Sequence, residues 1–187
     1  MNISSRINKF SKLTAQQEEE LMTFFRREEY RKGEFLFRQG EICKKLFFVE
    51  KGLARGYYYL KNGKDITAWF TTENSFITAI DSFLPMKETT NNCELVEDSV
   101  VYWISYDGLE ELLNRNHMMA KFAFYTLYGI TQELAQYTNK LKFQTAREKY
   151  EVLMEKNPGI FQRVPLVQIA SYLGITPETL SRIRTEK

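Results

Sequence analysis

The sequence predicts an α+β protein in which an antiparallel β domain with an N-terminal helix is followed by a long helix and then a C-terminal helix-turn-helix. Three observations carry this. Between Tyr30 and Ser105 apolar residues recur with period two, in short runs broken by turn signals. From Met118 to about Lys142 the apolar spacing lengthens to alternating threes and fours. Near the C-terminus, LVQIASYLGITPETLSRIR (Leu166 to Arg184) carries the small, turn and apolar residues of two helices that cross at a tight turn.

Composition narrows the function classes. At 187 residues, 43% of them apolar, the chain can bury the core of one medium domain and a small second one. The opening MNISSRINKF has no signal-peptide core, and no run approaches the ~20 apolar residues of a membrane span. The expectation is a soluble cytoplasmic protein with no membrane partner. Cys43 and Cys93 stand alone and far apart, so they read as buried reduced thiols rather than ligands of zinc or of an iron–sulfur cluster. No cofactor is expected. A single histidine, no glycine-rich phosphate loop and no HExxH leave no catalytic constellation, which points away from an enzyme. The net charge of +2 is uneven: from Lys140 onward nine Lys/Arg face five Asp/Glu, against seventeen and nineteen before it. The basic end coincides with the helix-turn-helix, where phosphate neutralisation would contribute to DNA affinity.

Residues 11–27 (SKLTAQQEEELMTFFRR) read as an amphipathic helix with a capping box at Thr14 and Gln17 and a stripe of Leu21, Phe24 and Phe25. Strands are predicted at Phe35–Phe37, Leu46–Val49, Tyr57–Leu60, Ile66–Phe70 and Val100–Ile104, giving a sandwich or barrel. Asn62-Gly63 signals a type I′ hairpin, which needs positive φ at both residues. In Tyr57-Tyr58-Tyr59 two rings should share one sheet face; ordinary strand packing explains them, and ligand stacking is the alternative. A short helix follows at Asp107 to Asn114, interrupted over Asn114 to His117. His117 reads as a solvated or capping side chain rather than a haem ligand.

Beyond it, Ala120, Ala123, Leu127, Ile130, Leu134, Tyr137 and Leu141 form an a/d seam over three heptads, the pattern of a coiled-coil contact with a second copy of the chain. A second apolar set, Phe122, Phe124, Tyr125 and Tyr128, would face the chain's own β domain. Residues 145–156 form a further helix stopped by Asn157-Pro158-Gly159. The chain thus divides into a β domain (1–117), a dimerisation helix (118–142) and a helix-turn-helix domain (143–187).

In the final stretch Ala170 supplies the small residue at the helix crossing, Gly174 the residue tolerant of positive φ, and Leu180 and Ile183 the inward stripe. Thr176 caps the second helix and Pro177 sits at its first position. Glu178, Ser181, Arg182 and Thr185 then share the outward face. As a surface pair, Glu178 and Arg182 would contribute only a few tenths of a kcal/mol. On a recognition helix, Arg182 suits guanine and Glu178 a cytosine amino group, each contact discriminating by roughly 1–3 kcal/mol.

A turn-rich β domain, a long helix and a C-terminal helix-turn-helix, in that order, resemble the bacterial catabolite activator protein and fumarate–nitrate regulator family. The resemblance spans nearly the whole chain and is most specific over IASYLGITPETLSRIR. It implies that the β domain is a jelly roll (β-roll) like the family's cyclic-nucleotide-binding domain, with Gly33, Gly40, Gly52, Glu34 and Glu41 as its turn framework. It further implies a transcription regulator that binds double-stranded DNA as a homodimer, with RNA polymerase as a further partner. Glu178, Ser181 and Arg182 stand where the family's recognition helix reads its operator; Thr176, Thr179, Arg184 and Lys187 complete the candidate DNA-binding set. The family's winged variant continues beyond that helix, so the wing is expected to be truncated or absent.

The pocket departs from the family. Its cyclic-AMP binders carry a Gly-Glu pair for the ribose and, about ten residues later, an Arg-Ser pair for the phosphate. Here Phe76-Ile77-Thr78-Ala79-Ile80-Asp81 and Glu88-Thr89-Thr90-Asn91-Asn92 stand instead, with no arginine between Arg55 and Arg115. Without a guanidinium fork a phosphate loses its strongest charge-assisted bonds, so cyclic AMP and cyclic GMP are not the expected effectors. Phe76, Ile77, Asp81, Thr89 and Thr90 are the candidate pocket for an unidentified small-molecule effector. The alternative function is a small-ligand-binding module whose helix-turn-helix makes protein contacts instead of reading DNA.

Overall fold

The computed structural model describes residues 3, 13–115, 117–121, 123–125, 127–128, 131–132 and 145–185. Among them eight strands build the β domain: β1 (Arg26–Tyr30), β2 (Phe35–Phe37), β3 (Lys45–Lys51), β4 (Ala54–Tyr59), β5 (Asp65–Thr71), β6 (Ser75–Ile77), β7 (Asn92–Leu95) and β8 (Ser99–Ser105). They form two antiparallel sheets of four, in the orders β1-β8-β3-β6 and β2-β7-β4-β5. Alternation of side chains along each strand sorts the apolar residues between two cores. Phe47, Val49 and Val101 point between the sheets to meet Phe37, Ala54, Cys93 and Leu95. Phe48 and Ile104, on the same strands, point out to Leu21, Leu112 and Met119. Gly56 has no side chain because the Trp69 indole lies across it; a Cβ there would come within 1.9 Å of the ring. Both cysteines are free and buried.

Helix α1 (Ala15–Thr23) opens with the predicted capping box: Gln17 N–H donates to Thr14 Oγ1 at 3.3 Å and Thr14 N–H to Gln17 Oε1 at 2.9 Å. It is shorter than the predicted 11–27 helix, since Arg26–Tyr30 pair with β8 instead. The Asn62-Gly63 hairpin forms, but not as type I′. Gly63 alone of the two has positive φ (80°), with Gly63 N–H donating to Leu60 O and Leu60 N–H to Lys64 O. That is the three-residue loop in which a type I turn ends on a left-handed glycine. Tyr57 and Tyr59 share a face, their rings 5.5 Å apart edge to face.

Helix α2 (Ile80–Phe83) lies between β6 and β7, and α3 (Tyr106–Arg115) follows β8. Of the predicted interruption over Asn114 to His117, Asn114 and Arg115 belong to α3 and His117 is helical, while residue 116 lies outside the described residues. Residues 117–121, 123–125, 127–128 and 131–132 are helical (α4). Of the predicted seam, Ile130, Leu134, Tyr137 and Leu141 lie outside the described residues, as does Phe122 of the second set. Met119, packed with Ile104 and Leu112, makes the contact with the β domain that Phe124, Tyr125 and Tyr128 were expected to make. Those three are exposed instead. Met118 and Met119 reach the outer face of the first sheet because they follow directly from α3, which packs on it.

The C-terminal part comprises α5 (Ala146–Lys156), α6 (Ile160–Arg163), α7 (Leu166–Leu173) and α8 (Pro177–Thr185). Thr145 and Glu148 form a capping box at α5. The described residues 145–165 contain no strand, so none of them forms a wing ahead of the motif. These helices close over a third core that also includes Leu53 and Val96 of the β domain.

Candidate nucleic-acid interface and effector pocket

The helix-turn-helix is built as its sequence requires. Gly174 ends α7 at φ 70°, its N–H donating back to Ala170 O and Ser171 O, while Ile175 N–H reaches Ala170 O at 3.0 Å. This is a left-handed cap that glycine adopts without a Cβ penalty. Thr176 Oγ1 accepts the Thr179 N–H at 3.2 Å and starts α8. Leu180 turns inward onto Ile169, Ala170 and Leu173, all buried, and Ile183, one turn later, is buried too. Glu178, Ser181, Arg182 and Thr185 emerge together on the exposed face of α8.

The other candidate contacts divide. The Thr176 hydroxyl is engaged locally, 3.1 Å from Thr179 Oγ1. Thr179 is half-buried at the cap. Thr185 Oγ1 donates to the carbonyls of Ser181 and Arg182. Arg184 lays its guanidinium 5.3 Å from the Phe161 ring centroid, beside α6. Lys187 lies outside the described residues. The Glu178 carboxyl is held below its usual range by its own backbone N–H and then by the Thr176 hydroxyl, so it is a carboxylate at neutral pH.

On α4, Ala120 and Ala123 are partly exposed and Leu127 is 56% exposed, with Phe124 at 65% and Tyr128 at 55% beside it. Ile130, Leu134, Tyr137 and Leu141 cannot be placed on that face from the described residues.

The candidate pocket residues are brought together only in part. On β6, Phe76 turns outward, its ring 5.0 Å from Phe48, while Ile77 turns into the core between the sheets. Asp81, Thr89 and Thr90 form one cluster. The Asp81 carboxylate accepts the Thr89 hydroxyl (2.9 Å), the Thr90 N–H (2.9 Å), the Thr90 hydroxyl (2.9 Å) and the Asn91 amide (3.3 Å). Partial burial pushes this carboxyl up, but those donors outweigh it and hold it below the usual range. Ser82 is buried and fastens the same loop, accepting Cys43 N–H and donating to Lys87 O. Arg55, 3% exposed, is committed elsewhere, to Asp65 (2.8 Å), Glu94 (3.2 Å) and Thr67 Oγ1 (2.9 Å). Among the described residues no cluster of three or more His, Cys, Asp or Glu could hold a metal ion, and no helix there is long and apolar enough to cross a membrane.

Sequence reading passed over the contacts that join the two parts of the chain. Arg163 on α6 bonds Glu73 and Glu97 of the β domain, and Thr67 N–H of β5 donates to Ser171 Oγ of α7 at 3.0 Å. Partners 66 to 104 residues apart leave no local pattern to find.

Comparison with known proteins places this arrangement. Residues 27–116 match the family model described as the cyclic nucleotide-binding domain. Among solved structures, FixK2 from Bradyrhizobium japonicum is similar at TM-score 0.74 and 20% identity, covering 87% of this chain and 83% of that one. The catabolite activator protein of Thermus thermophilus is similar at TM-score 0.62 and 22% identity, covering 96% and 84%. The c-di-GMP-responsive global regulator CLP of Xanthomonas campestris is similar at TM-score 0.65 and 16% identity, covering 91% and 89%. No curated protein matches the sequence. Residues 27–116 thus match the cyclic nucleotide-binding domain model, and over 87–96% of its length the chain has the fold of FixK2 and of the catabolite activator protein.

Proposed function

We propose that the chain is a DNA-binding transcription regulator that acts as a homodimer on a roughly palindromic operator. The observation that carries this is α8: Leu180 is packed in the helix-turn-helix core and Ile183 is buried, while Glu178, Ser181 and Arg182 stand together on the exposed face. Such a helix lies in the major groove with its first turns at the base edges. Arg182 supplies the bidentate donor for guanine and Glu178 the acceptor for a cytosine amino group. Thr176 and Thr179 lie at the N-terminal end of the helix, Ser181 at its middle beside Arg182, and Arg184 and Lys187 act as phosphate contacts. A cytoplasmic location belongs to the same reading.

The second copy meets this one along α4, where Leu127, Phe124 and Tyr128 are large, apolar and exposed. Contiguous apolar surface of this kind marks an interaction site, and the heptad spacing of Ala120, Ala123, Leu127, Ile130, Leu134, Tyr137 and Leu141 fits a parallel helix pair. The chain divides functionally at 117/118 and 142/143.

Cyclic AMP and cyclic GMP are not the effectors. In the loop from α2 to β7, Asp81 already draws in the donors of Thr89, Thr90 and Asn91, so a phosphate would meet an anion and no arginine. Any effector of the Phe76, Ile77, Asp81, Thr89 and Thr90 region is of another chemistry. Titration calorimetry with either nucleotide should give no heat at micromolar concentrations; micromolar binding would overturn this part.

Fluorescence anisotropy with matched and single-base-substituted operator duplexes tests the reading of DNA. Arg182→Ala should lose about 5- to 150-fold discrimination at one base pair, the equivalent of roughly 1–3 kcal/mol, while the fold is retained. Unchanged discrimination would remove Arg182 from the reading and favour a helix-turn-helix that contacts protein.

A further inference from the structure

The helix-turn-helix is fastened to its own β domain, by a surface that leaves the outward face of α8 exposed. Three kinds of contact make the joint. The first is polar: β5 is the outer strand of the sheet ordered β2-β7-β4-β5, and its Thr67 N–H donates to Ser171 Oγ of α7 at 3.0 Å. An edge strand presents unpaired donors, and α7 covers this one. The second is apolar: Leu53 and Val96 share a core with Ile169, Ala170, Leu173 and Leu180, and Phe70 meets Tyr172 at 5.4 Å between ring centroids.

The third is ionic. Arg163 Nη2 lies 2.7 Å from Glu73 Oε1, Nη1 lies 3.2 Å from Glu73 Oε2, and Nε lies 3.1 Å from Glu97 Oε2. One guanidinium thus spans two turns of the β domain, β5–β6 through Glu73 and β7–β8 through Glu97. Glu73 is itself held in place by the Gly52 N–H at 3.1 Å. Partly exposed ion pairs add little stability, but a planar fork on two carboxylates fixes direction.

We propose that Arg163 is a positioning residue, which pins the helix-turn-helix to the β5–β6 and β7–β8 turns and so sets the angle at which α8 is presented. The inference rests on the DNA-reading function above. Strand β6, three residues long, leads from the Glu73 turn directly towards α2 and the Asp81 loop. The Asp81 cluster and the pin are thus joined by one short strand, which pairs with β3. In a two-fold dimer the angle of each α8 decides the spacing of the two half-sites.

The pin is tested from both sides, with Arg163→Gln and separately with Glu73→Gln plus Glu97→Gln. Amide exchange of Thr67 in the full chain should quicken at least about tenfold in each. Affinity for a single half-site should stay within about twofold of wild type, while the optimum in a series of palindromes of varied central spacing should broaden. Superimposable exchange and spacing profiles would overturn the proposal. If wild-type protein binds no DNA, the functional reading fails while Thr67 exchange still decides the joint. Should one variant not fold, the other addresses the same pin, and an unprotected Thr67 amide in the wild-type chain overturns it outright.

Discussion

Leu180→Ala separates the packing of the helix-turn-helix from its surface chemistry. Leu180 is fully buried against Ile169, Ala170 and Leu173, in a cluster that reaches Leu53 and Val96 of the β domain. Truncation to alanine removes three carbons, or ~2.4 kcal/mol of transfer free energy. The cavity left behind raises the expected loss to ~3 kcal/mol, inside the usual span for buried leucines. For a chain of this size that lowers the melting midpoint by roughly 6–12 °C. Circular dichroism melts give the readout, at one fixed protein concentration because a homodimer's midpoint depends on it. Arg182→Ala is the matched control: its side chain is exposed, and its midpoint should stay within about 2 °C. A Leu180→Ala chain that melts with wild type would refute the packing of α8 on α7, and with it the assignment of the outward face.

Three further outcomes follow from the same geometry. Leu127→Glu places a charge on the exposed apolar face of α4 and should shift the sedimentation coefficient from dimer to monomer; an unshifted dimer would move the interface elsewhere. Gly174→Ala keeps an open site but forces φ 70° on a residue with a Cβ, which should cost about 1–2 kcal/mol; a melt indistinguishable from wild type would mean the turn relaxes. Asp81 and Glu73 both have carboxyls held below the usual range, Glu73 because the Arg163 bond outweighs the upward push of burial. Depressed values mean that their stabilising contribution is complete above about pH 5, beyond the unfolded values, and is lost as pH falls through the folded values. Midpoints measured against pH should therefore drop on the acid side, less steeply in Asp81→Asn; identical acid limbs would contradict this.

What was legible in the sequence was whatever has local periodicity or local chemistry. The Thr14 and Gln17 box, the Gly174 turn, the Thr176 cap and the Leu180 and Ile183 stripe each depend on residues within a few positions of one another. Strands escaped where that signal is absent. Arg26–Tyr30 is charged and mostly exposed, as suits the outer strand of its sheet, so it shows no period of two, and its first two residues fall within the predicted 11–27 helix. β6 and α6, of three and four residues, are too short to show a period. The exposed Phe124 and Tyr128 were assigned to the β domain because periodicity shows how many faces a helix has, not which neighbour covers each. Of the candidate pocket, the alternation of Phe76 and Ile77 was predictable from strand geometry once β6 was known. The four donors converging on Asp81 and the pin at Arg163 depend on chain segments that meet only after folding.

The most direct test is selection of bound sequences from random duplex DNA by the wild-type chain of residues 1–187. The expected result is enrichment of two inverted copies of one short half-site, their centres about 34 Å apart along the duplex, as two recognition helices in successive major grooves require. Recovery of no preferred sequence, or of single half-sites without a fixed partner, would contradict it.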